Sequence, residues 1–184
     1  MYKNAEDGAA AMKFLATKPV VIITTLHPTG VVNAGVFGAY TGLSSVHIGA
    51  AIHTESHTYA NVLREKEFVV NVPGSNLVKT LAVIADDDVP PEKSEVAEAG
   101  LSLKPPLKLQ VPSIAECAAA VEFVFEKEVP VGGHSLLIAR AVAGWIRSDF
   151  LDDDGRINIF KAQVMKDFKY PLPLYVLPGE VVCG

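Results

Sequence analysis

Short runs of strand-forming residues, each ended by a turn signal, recur along this chain and constrain its fold more than any other feature. The β-branched run at residues 20–25 precedes the sequence His-Pro-Thr-Gly at 27–30, which is typical of a turn. Residues 31–37 are then predicted as the return strand of a hairpin, and residues 46–52 as a third strand. The same pattern at residues 68–72 indicates a fourth strand.

A second region rich in strand signals lies at residues 117–147. Its first part alternates between two sets of side chains with the period of two expected of a strand with one solvated face. One set is Val121, Phe123 and Phe125, and the other is Glu122, Val124 and Glu126. Two glycines at 132–133 indicate a turn before a second long strand at 135–145. The sequence Asp-Gly at 154–155 suits another hairpin turn, and residues 174–182 are predicted to close the sheet.

Helical signals are fewer and shorter. Residues 57–66 are predicted as a helix whose packed face is formed by Tyr59, Val62, Leu63 and Lys66. Ser75 is a candidate N-cap for a helix at 75–84, and Pro91 suits the first turn of another helix that Gly100 would end. Closely spaced strands with a few attached helices favour a mainly β fold, an antiparallel barrel, over the alternating βαβ arrangement.

The composition excludes several classes of protein. The 184 residues fit a single domain, 1–184, and a hydrophobic content of 49% allows a sizeable core. The net charge of -5 comes from mixed acids and bases without a basic stripe, so nucleic acid is not an expected partner. The apolar runs are far shorter than the ~20 residues of a membrane span, and the polar N-terminus is unlike a secretory signal. Two cysteines without a CxxC spacing, Cys117 and Cys183, suit a reducing compartment, so we expect a cytoplasmic protein.

The segment at residues 33–45 is dense in glycine and hydroxyl side chains. Gly35, Gly38 and Gly42 would let a flat ligand approach the backbone closely. Their spacing does not match GxGxxG, so a dinucleotide loop is not predicted. A pair of strands with a β-bulge, made flexible by glycine, explains the same residues without a ligand. The residues alone leave both the ligand site and the bulged strands open.

Polar residues at 53–61 lead into the first predicted helix. The start of a helix carries unpaired N–H groups and the positive end of the helix dipole, and both favour a phosphate. Ser56, His57 and Thr58 add further donors at this point. The simpler interpretation is a helix cap, with Ser56 or Thr54 as the N-cap residue.

Metal and proton-transfer sites are weakly indicated. The H-x-E sequence at 53–55 has the form found in zinc deaminases but lacks their CxxC, and a zinc hydrolase using His53 and His57 lacks the acid that HExxH places directly after its first histidine. The acidic residues at 152–155 do not fit a calcium loop, because the twelfth position would be a lysine, so they are predicted to form a turn. His134, at the mouth of a hairpin, is either an exposed turn residue or a group that donates or accepts a proton.

Taken in order, four stretches resemble one family, the flavin reductase-like (flavoredoxin-type) FMN-binding split barrels. The stretches are residues 19–25 with Gly30 and Asn33-Ala34, the glycine- and serine-rich residues 37–45, residues 56–62 leading into 67–73, and Gly133-His-Ser-Leu before the strand that ends near Trp145. Lys93-Ser94 and Glu98-Ala-Gly-Leu101 are similar to the family's middle segment, and the resemblance spans roughly residues 15–147. It implies an antiparallel Greek-key split β-barrel with a few peripheral helices.

The resemblance also implies where a flavin would bind. The isoalloxazine is expected to lie near Asn33 and along Phe37, Gly38, Ala39, Tyr40 and Thr41. The phosphate is expected at the helix entry formed by Ser56, His57 and Thr58, with support from His53 and Asn61. Lys93 and Ser94 would reach the ribityl chain or the phosphate. His134 is the candidate catalytic residue, expected beside the nicotinamide or the flavin.

Hydride transfer from NAD(P)H to flavin is the usual reaction of this family, and its members form homodimers with the flavin near the subunit contact. The first hypothesis is therefore an FMN-dependent NAD(P)H oxidoreductase that reduces flavin or passes electrons to a redox partner protein. The alternative is an FMN-binding electron carrier or flavin-sequestering module without a nicotinamide site. One departure concerns Ser56, where many relatives carry Arg or Lys. Either the helix dipole and Lys93 compensate for this charge, or the flavin is held loosely.

Overall fold

In a computed structural model of the chain, which describes residues 19–86, 89–167 and 175–179, seven strands form one antiparallel sheet. These strands are β1 (Val21–Leu26), β2 (Val32–Phe37), β3 (Tyr40–Gly42), β4 (His47–His53), β5 (Glu67–Val72), β8 (Ala119–Val131) and β9 (His134–Ile146). Outside this sheet, β6 (Leu103–Lys104) pairs with β7 (Ser113–Ile114). The strands predicted from the β-branched and alternating runs are confirmed, and the short β3 is an addition to them.

The strand order across the sheet is β2-β1-β5-β8-β9-β4-β3. β2 and β3 are therefore the two edge strands, yet only Gly38 and Ala39 separate them in sequence. Such a short connection requires the sheet to curl until its edges approach each other. The amide of Ala51 on β4 donates to the Ala39 carbonyl at 2.8 Å, which fixes the connection to the end of the sheet that carries β3. The result is the predicted antiparallel split barrel.

The inner face of the curled sheet encloses one hydrophobic cluster. Its buried members are Val21, Ile23, Ile48, Ala50, Ile52, Val62, Phe68, Val70, Phe123, Leu137 and Ala139. Phe68 and Phe123, partners across β5 and β8, stack with their ring centroids 5.5 Å apart. Val121 and Phe125 pack against the same cluster, so the apolar face predicted for β8 is confirmed.

A second cluster covers the opposite face of β1 and β2. Its buried members are Val20, Ile22, Val32, Ala34, Leu77, Leu81, Ile84, Val96, Ile114, Cys117 and Met165. Successive residues of β1 thus point into two different cores, which explains why its sequence is a continuous apolar run instead of an alternating one.

The helices are α1 (His57–Glu65), α2 (Leu81–Ile84), α3 (Glu95–Glu98) and α4 (Ile159–Ala162), with 3₁₀ turns at Ser75–Leu77 and Ser148–Phe150. The prediction of one helix at 75–84 capped by Ser75 is wrong, because the chain there divides into a 3₁₀ turn and α2. Thr80 accounts for the break, since both its hydroxyl and its amide donate to the Leu77 carbonyl. Pro91 lies in a turn before α3 and not in a helix, whereas Gly100 follows α3 with a φ of 68° and stops it as predicted.

The solvated face predicted for β8 is wrong at Glu122, which is only 3% exposed. Its carboxylate accepts hydrogen bonds from three consecutive backbone amides, those of Leu107, Lys108 and Leu109. Glu67 on β5 accepts from the next two amides in the same way. A loop therefore covers this face of the sheet, and the two carboxylates satisfy backbone donors that would otherwise lie unpaired.

The C-terminal segment does not extend the barrel. β10 (Lys166–Asp167) and β11 (Tyr175–Val176) pair with each other, so the prediction that residues 174–182 close the main sheet is wrong for the part that the structure describes. The predicted turn at Asp154-Gly155 is confirmed by the φ of 79° at Gly155. Cys183 lies outside the described residues. Within them, none of the helices has the length and hydropathy that a bilayer crossing requires.

Candidate functional site

The entry of α1 is built by Ser56, which is its N-cap residue. The Ser56 hydroxyl accepts from the Tyr59 amide at 3.2 Å and donates to the His53 carbonyl at 2.8 Å. The cap interpretation is thereby confirmed, and this hydroxyl is already engaged on both sides. The amides of His57 and Thr58 make no hydrogen bond to any other described residue. The first turn of α1 therefore presents two free donors and the positive end of the helix dipole.

A buried polar network fixes α1 to the hairpin of β1 and β2. Asn33 donates through Nδ2 to the hydroxyls of Thr25 and Thr58, both at 3.0 Å. Asn61 donates to the same Thr25 hydroxyl, also at 3.0 Å. Asn33, Thr58 and Asn61 are thus brought together, and the amide groups of the two asparagines bond protein atoms. These hydrogen bonds hold the first turns of α1 against β1 and β2.

This network corrects the predicted packed face of α1. The buried residues of the helix are Thr58, Asn61 and Val62, while Lys66 is the left-handed C-cap residue with a φ of 62°. Two of the three buried side chains are polar, so a search for apolar periodicity could not find this face. The polar residues of this face are buried because they bond Asn33 and Thr25, which lie opposite each other on β1 and β2.

His27, which the sequence marked only as part of a turn, lies beside the helix entry. Its side chain is 4% exposed, and its ring packs edge-to-face against His57 with centroids 5.1 Å apart. Nδ1 of His27 faces Nδ2 of Asn61 at 3.4 Å, while its Nε2 is buried without a partner among the described residues. Burial lowers the pKa of His27 below its usual value, and His57 and Arg64 add to this effect.

The start of α3 lies near the same entry, because its first residue, Glu95, is close to His57. The Glu95 carboxylate, 3% exposed, accepts from the Ala34 amide on β2 at 2.9 Å. Burial raises the pKa of Glu95, and the proximity of His57 opposes that rise. The hydroxyl of the preceding residue, Ser94, is buried and has no partner within the described chain. Ser94 and Glu95 are thereby held against β2 in the vicinity of His57, whereas Lys93 is exposed. No sequence signal pointed to Glu95.

The crossing between the two edge strands is the other half of the site. At Gly35, a Cβ would lie 2.9 Å from the Phe37 ring and 3.5 Å from the Thr58 hydroxyl, so this glycine lets the chain approach its own neighbours. At Gly38 and Gly42 the space around a Cβ is open. Burial raises the pKa of Tyr40 to about 12, which agrees with its packing against the inner core.

His53 and His134 are directly opposite each other on β4 and β9. Their rings meet edge-to-face with centroids 5.1 Å apart, and both side chains are exposed. The Thr54 amide and hydroxyl both donate to the Gly133 carbonyl, which ties the hairpin turn to the chain that enters α1. The predicted catalytic residue and the predicted phosphate-supporting residue therefore form one exposed pair.

A carboxylate joins α1 to the same hairpin. One oxygen of Glu128 on β8 accepts from the Tyr59 hydroxyl at 2.9 Å and from the Ser135 hydroxyl at 2.6 Å. The hydrogen bond to Glu128 raises the pKa of Tyr59. Through these bonds the helix entry and the strand that begins with His134 keep a fixed relation.

The described residues contain no group of three or more His, Cys, Asp or Glu side chains arranged to hold a metal ion. The acidic turn near Asp152 is satisfied by Asn158 and Lys161. Cys117 is buried, and burial raises the pKa of its thiol, which disfavours the reactive thiolate form.

Comparison with known proteins identifies the family. The chain matches the model of the flavin reductase like domain over residues 13–167, and it belongs to that family. An uncharacterised protein of Halalkalibacterium halodurans is 33% identical over 151 residues, which cover 75% of this chain and 72% of that protein.

Two solved structures share the fold over nearly the whole chain. A Shewanella frigidimarina protein assigned to the flavin reductases with a split barrel domain matches with a TM-score of 0.86 and 14% identity, covering 100% of this chain and 98% of its own. An FMN-binding protein from Thermus thermophilus matches with a TM-score of 0.78 and 18% identity, covering 100% of this chain and 99% of its own. At these identities the likeness concerns the fold, a split barrel.

Proposed function

We propose that this protein binds FMN and catalyses its reduction by NAD(P)H, with the electrons passed onward to an acceptor. The observation that carries the proposal is the pair of amides at the entry of α1 that have no partner among the described residues, and the buried Ser94 hydroxyl also lacks a partner there. Unpaired donors at a helix start are suited to a phosphate, and a buried hydroxyl without a partner is suited to a polar ligand. Membership of the flavin reductase-like family supports a flavin as that ligand.

The residues present fit FMN at both ends of the molecule. The amides of His57 and Thr58 would hold the phosphate, and Lys93 and Ser94 would contact the phosphate or the ribityl chain. The crossing from Phe37 to Thr41 would lie along the isoalloxazine, where the open space at Gly38 allows close approach to the backbone.

FMN, when bound, supplies the redox chemistry by accepting a hydride from the nicotinamide. The protein's part is to bind and orient both molecules and to keep water away. The buried network around Thr25 fixes the helix entry, and the bonds of Glu128 fix the hairpin that carries His134. His134, exposed beside His53, is proposed to contact the nicotinamide or the flavin.

A homodimer is part of the same proposal. Leu43 and Val129 are 48% and 46% exposed, and Leu136 lies beside them on the outer face of the sheet. A Cβ at Gly49 would touch both Leu136 and Leu43, so these side chains form one continuous surface, here called the outer apolar face. An apolar patch of this kind on a soluble protein is suited to a subunit contact.

Anaerobic stopped-flow mixing tests the function. The protein with FMN is mixed with NADH and, separately, with NADPH, and the visible absorption band of the flavin is followed. Bleaching faster than that of free FMN under the same conditions is expected for at least one nicotinamide. If FMN binds but neither nicotinamide accelerates bleaching, the reductase proposal fails and an FMN-binding carrier replaces it. If FMN does not bind, both fail.

A further inference from the structure

We infer that FMN binding to this protein takes up a proton at His57, so that the imidazolium provides the positive charge opposite the flavin phosphate. This inference rests on the proposed FMN site and adds its regulation by pH. Histidine is the side chain whose charge ordinarily changes near neutral pH, so such a site tightens as the pH falls.

The position of His57 is the first part of the argument. It is the first residue of α1, and its own amide is one of the two free donors. The imidazole is exposed, so it can reach an anion that is bound at the helix start. A phosphate there would receive backbone hydrogen bonds and a charge-assisted bond from the same residue.

Two other cations of the described residues lie on segments close to the pair, Arg64 on α1 and Lys93 before α3, and the first of them is already engaged. The Arg64 guanidinium bonds the Leu26 carbonyl and the Glu65 carboxylate. Lys93 is exposed on the segment that precedes α3. Opposing charge is also present, because the carboxylates of Glu92 and Glu95 act on the two histidines. A dianionic phosphate next to Glu95 is unfavourable unless a proton is added to the site.

His27 is the second and independent observation. Asn61 donates to its Nδ1, so the neutral ring carries its hydrogen on Nε2, a buried donor without a partner among the described residues. Its ring meets His57 edge-to-face, and burial disfavours a charge on His27 itself. Of the two rings, His57 is therefore the one that takes the proton, and His27 is a neutral neighbour that positions it.

Among the described residues, four charged groups act on this cluster. Glu92 favours and Arg64 opposes a positive charge on His27, while Glu95 interacts with His57 and Asp86 adds negative charge beside Glu95. A bound dianionic phosphate would add negative charge directly beside the His57 imidazole, and the result is linkage between the flavin phosphate and a proton.

Isothermal titration of FMN in buffers with different ionisation enthalpies, at a pH of about 7.5, measures the protons exchanged on binding. Histidine ordinarily titrates about one unit below this pH, and the second phosphate pKa is about 6, so FMN enters as the dianion. The wild-type protein is expected to take up a fraction of a proton with FMN and none with riboflavin, which lacks the phosphate. The FMN dissociation constant should rise about tenfold from pH 7 to 8.5, the loss of one charge-assisted bond.

His57→Asn is the diagnostic variant, and His47→Asn, on the outer face of β4, is the matched control. The first should bind FMN without proton uptake and with a flat pH dependence, while the second should behave like the wild type. Circular dichroism and light scattering establish that both variants are folded and keep the oligomeric state of the wild type. Proton uptake that persists in His57→Asn, or is absent from the wild type although FMN binds, overturns the inference and leaves the proposed function standing. Failure of the wild type to bind FMN at all overturns the proposed function.

Discussion

Thr25, a residue of β1, holds together three elements of the candidate site. Its hydroxyl accepts from the amide groups of both Asn33 and Asn61, and all three side chains are buried. These bonds join β1, β2 and α1 at the point where the helix begins. None of the three residues needs to touch a ligand for the geometry of the helix entry to depend on them.

Removal of this single hydroxyl should therefore have a large effect. Thr25→Val leaves two buried amide donors without their acceptor, and the free energy of unfolding is expected to fall by about 2–4 kcal/mol. Thr25→Ser keeps the hydroxyl and should cost much less. Urea unfolding of both variants measures the difference. A Val variant as stable as the Ser variant would contradict the role given to this network.

The burial of His27 leads us to expect that the free energy of unfolding depends on pH. Because burial lowers the pKa of His27 in the folded state, the unfolded chain takes up the proton first as the pH falls. The contribution of His27 to stability is fully present above the ordinary histidine pKa of about 6.5. It is lost as the pH falls towards the lowered pKa that His27 has in the folded protein. His27→Gln should remove that part of the acid destabilisation, whereas His47→Gln should not. Urea unfolding at several pH values tests this, and parallel curves for wild type and His27→Gln would contradict it.

At the level of elements, the entry of α1 combines a cap with a candidate anion site. The Ser56 hydroxyl is occupied by the Tyr59 amide and the His53 carbonyl, and so the backbone amides are left for a ligand. A serine here stabilises the start of the helix but adds no permanent positive charge to the proposed phosphate site.

Ser56→Arg should separate the effect of the helix cap on stability from the effect of a positive charge on FMN binding. Loss of the cap is expected to lower the free energy of unfolding by about 1 kcal/mol, while the added cation is expected to tighten FMN binding. Ser56→Ala loses the cap without gaining the charge, so it should be destabilised equally and bind FMN no more tightly than the wild type. Thermal unfolding and FMN fluorescence titration measure the two quantities. Equal FMN affinity in the Arg and Ala variants would contradict a phosphate at this helix.

The strands and turns of this fold are predictable from sequence because their signals are local. The β-branched run of β1, the alternation of β8 and the glycines of the hairpin turns each predict their own element. What sequence could not predict depends on contacts between distant segments. Glu122 is buried because a loop folds over it, the Glu95 carboxylate bonds β2, and the His27 ring meets His57 on α1. Local patterns along the sequence carry no signal for these contacts.

Across the whole molecule, curling of the sheet brings the two edge strands together at Gly38 and Ala39. The outer apolar face lies on the other side of the same sheet, on β8, β9 and the residue that follows β3. Cofactor and subunit contact are thus proposed to lie on neighbouring parts of one sheet, so dimer formation and flavin binding should be coupled.

Leu43→Glu tests the subunit contact. A charge on the outer apolar face should weaken the homodimer and shift the protein to a monomer, with weaker FMN binding as a consequence. Leu107→Glu is the control, because Leu107 is equally apolar and 55% exposed but lies on the loop over β8. Light scattering after size exclusion gives the masses. A Leu43→Glu protein that remains a dimer and retains its FMN affinity would place the contact elsewhere.

A crystal structure of the protein grown with FMN tests the central claim most directly, namely that the helix entry and the edge-strand crossing form one flavin site. The phosphate is expected within hydrogen-bond distance of the His57 and Thr58 amides, with the isoalloxazine along Phe37 to Thr41. Flavin density elsewhere, with these amides facing solvent or another part of the protein, would contradict the account.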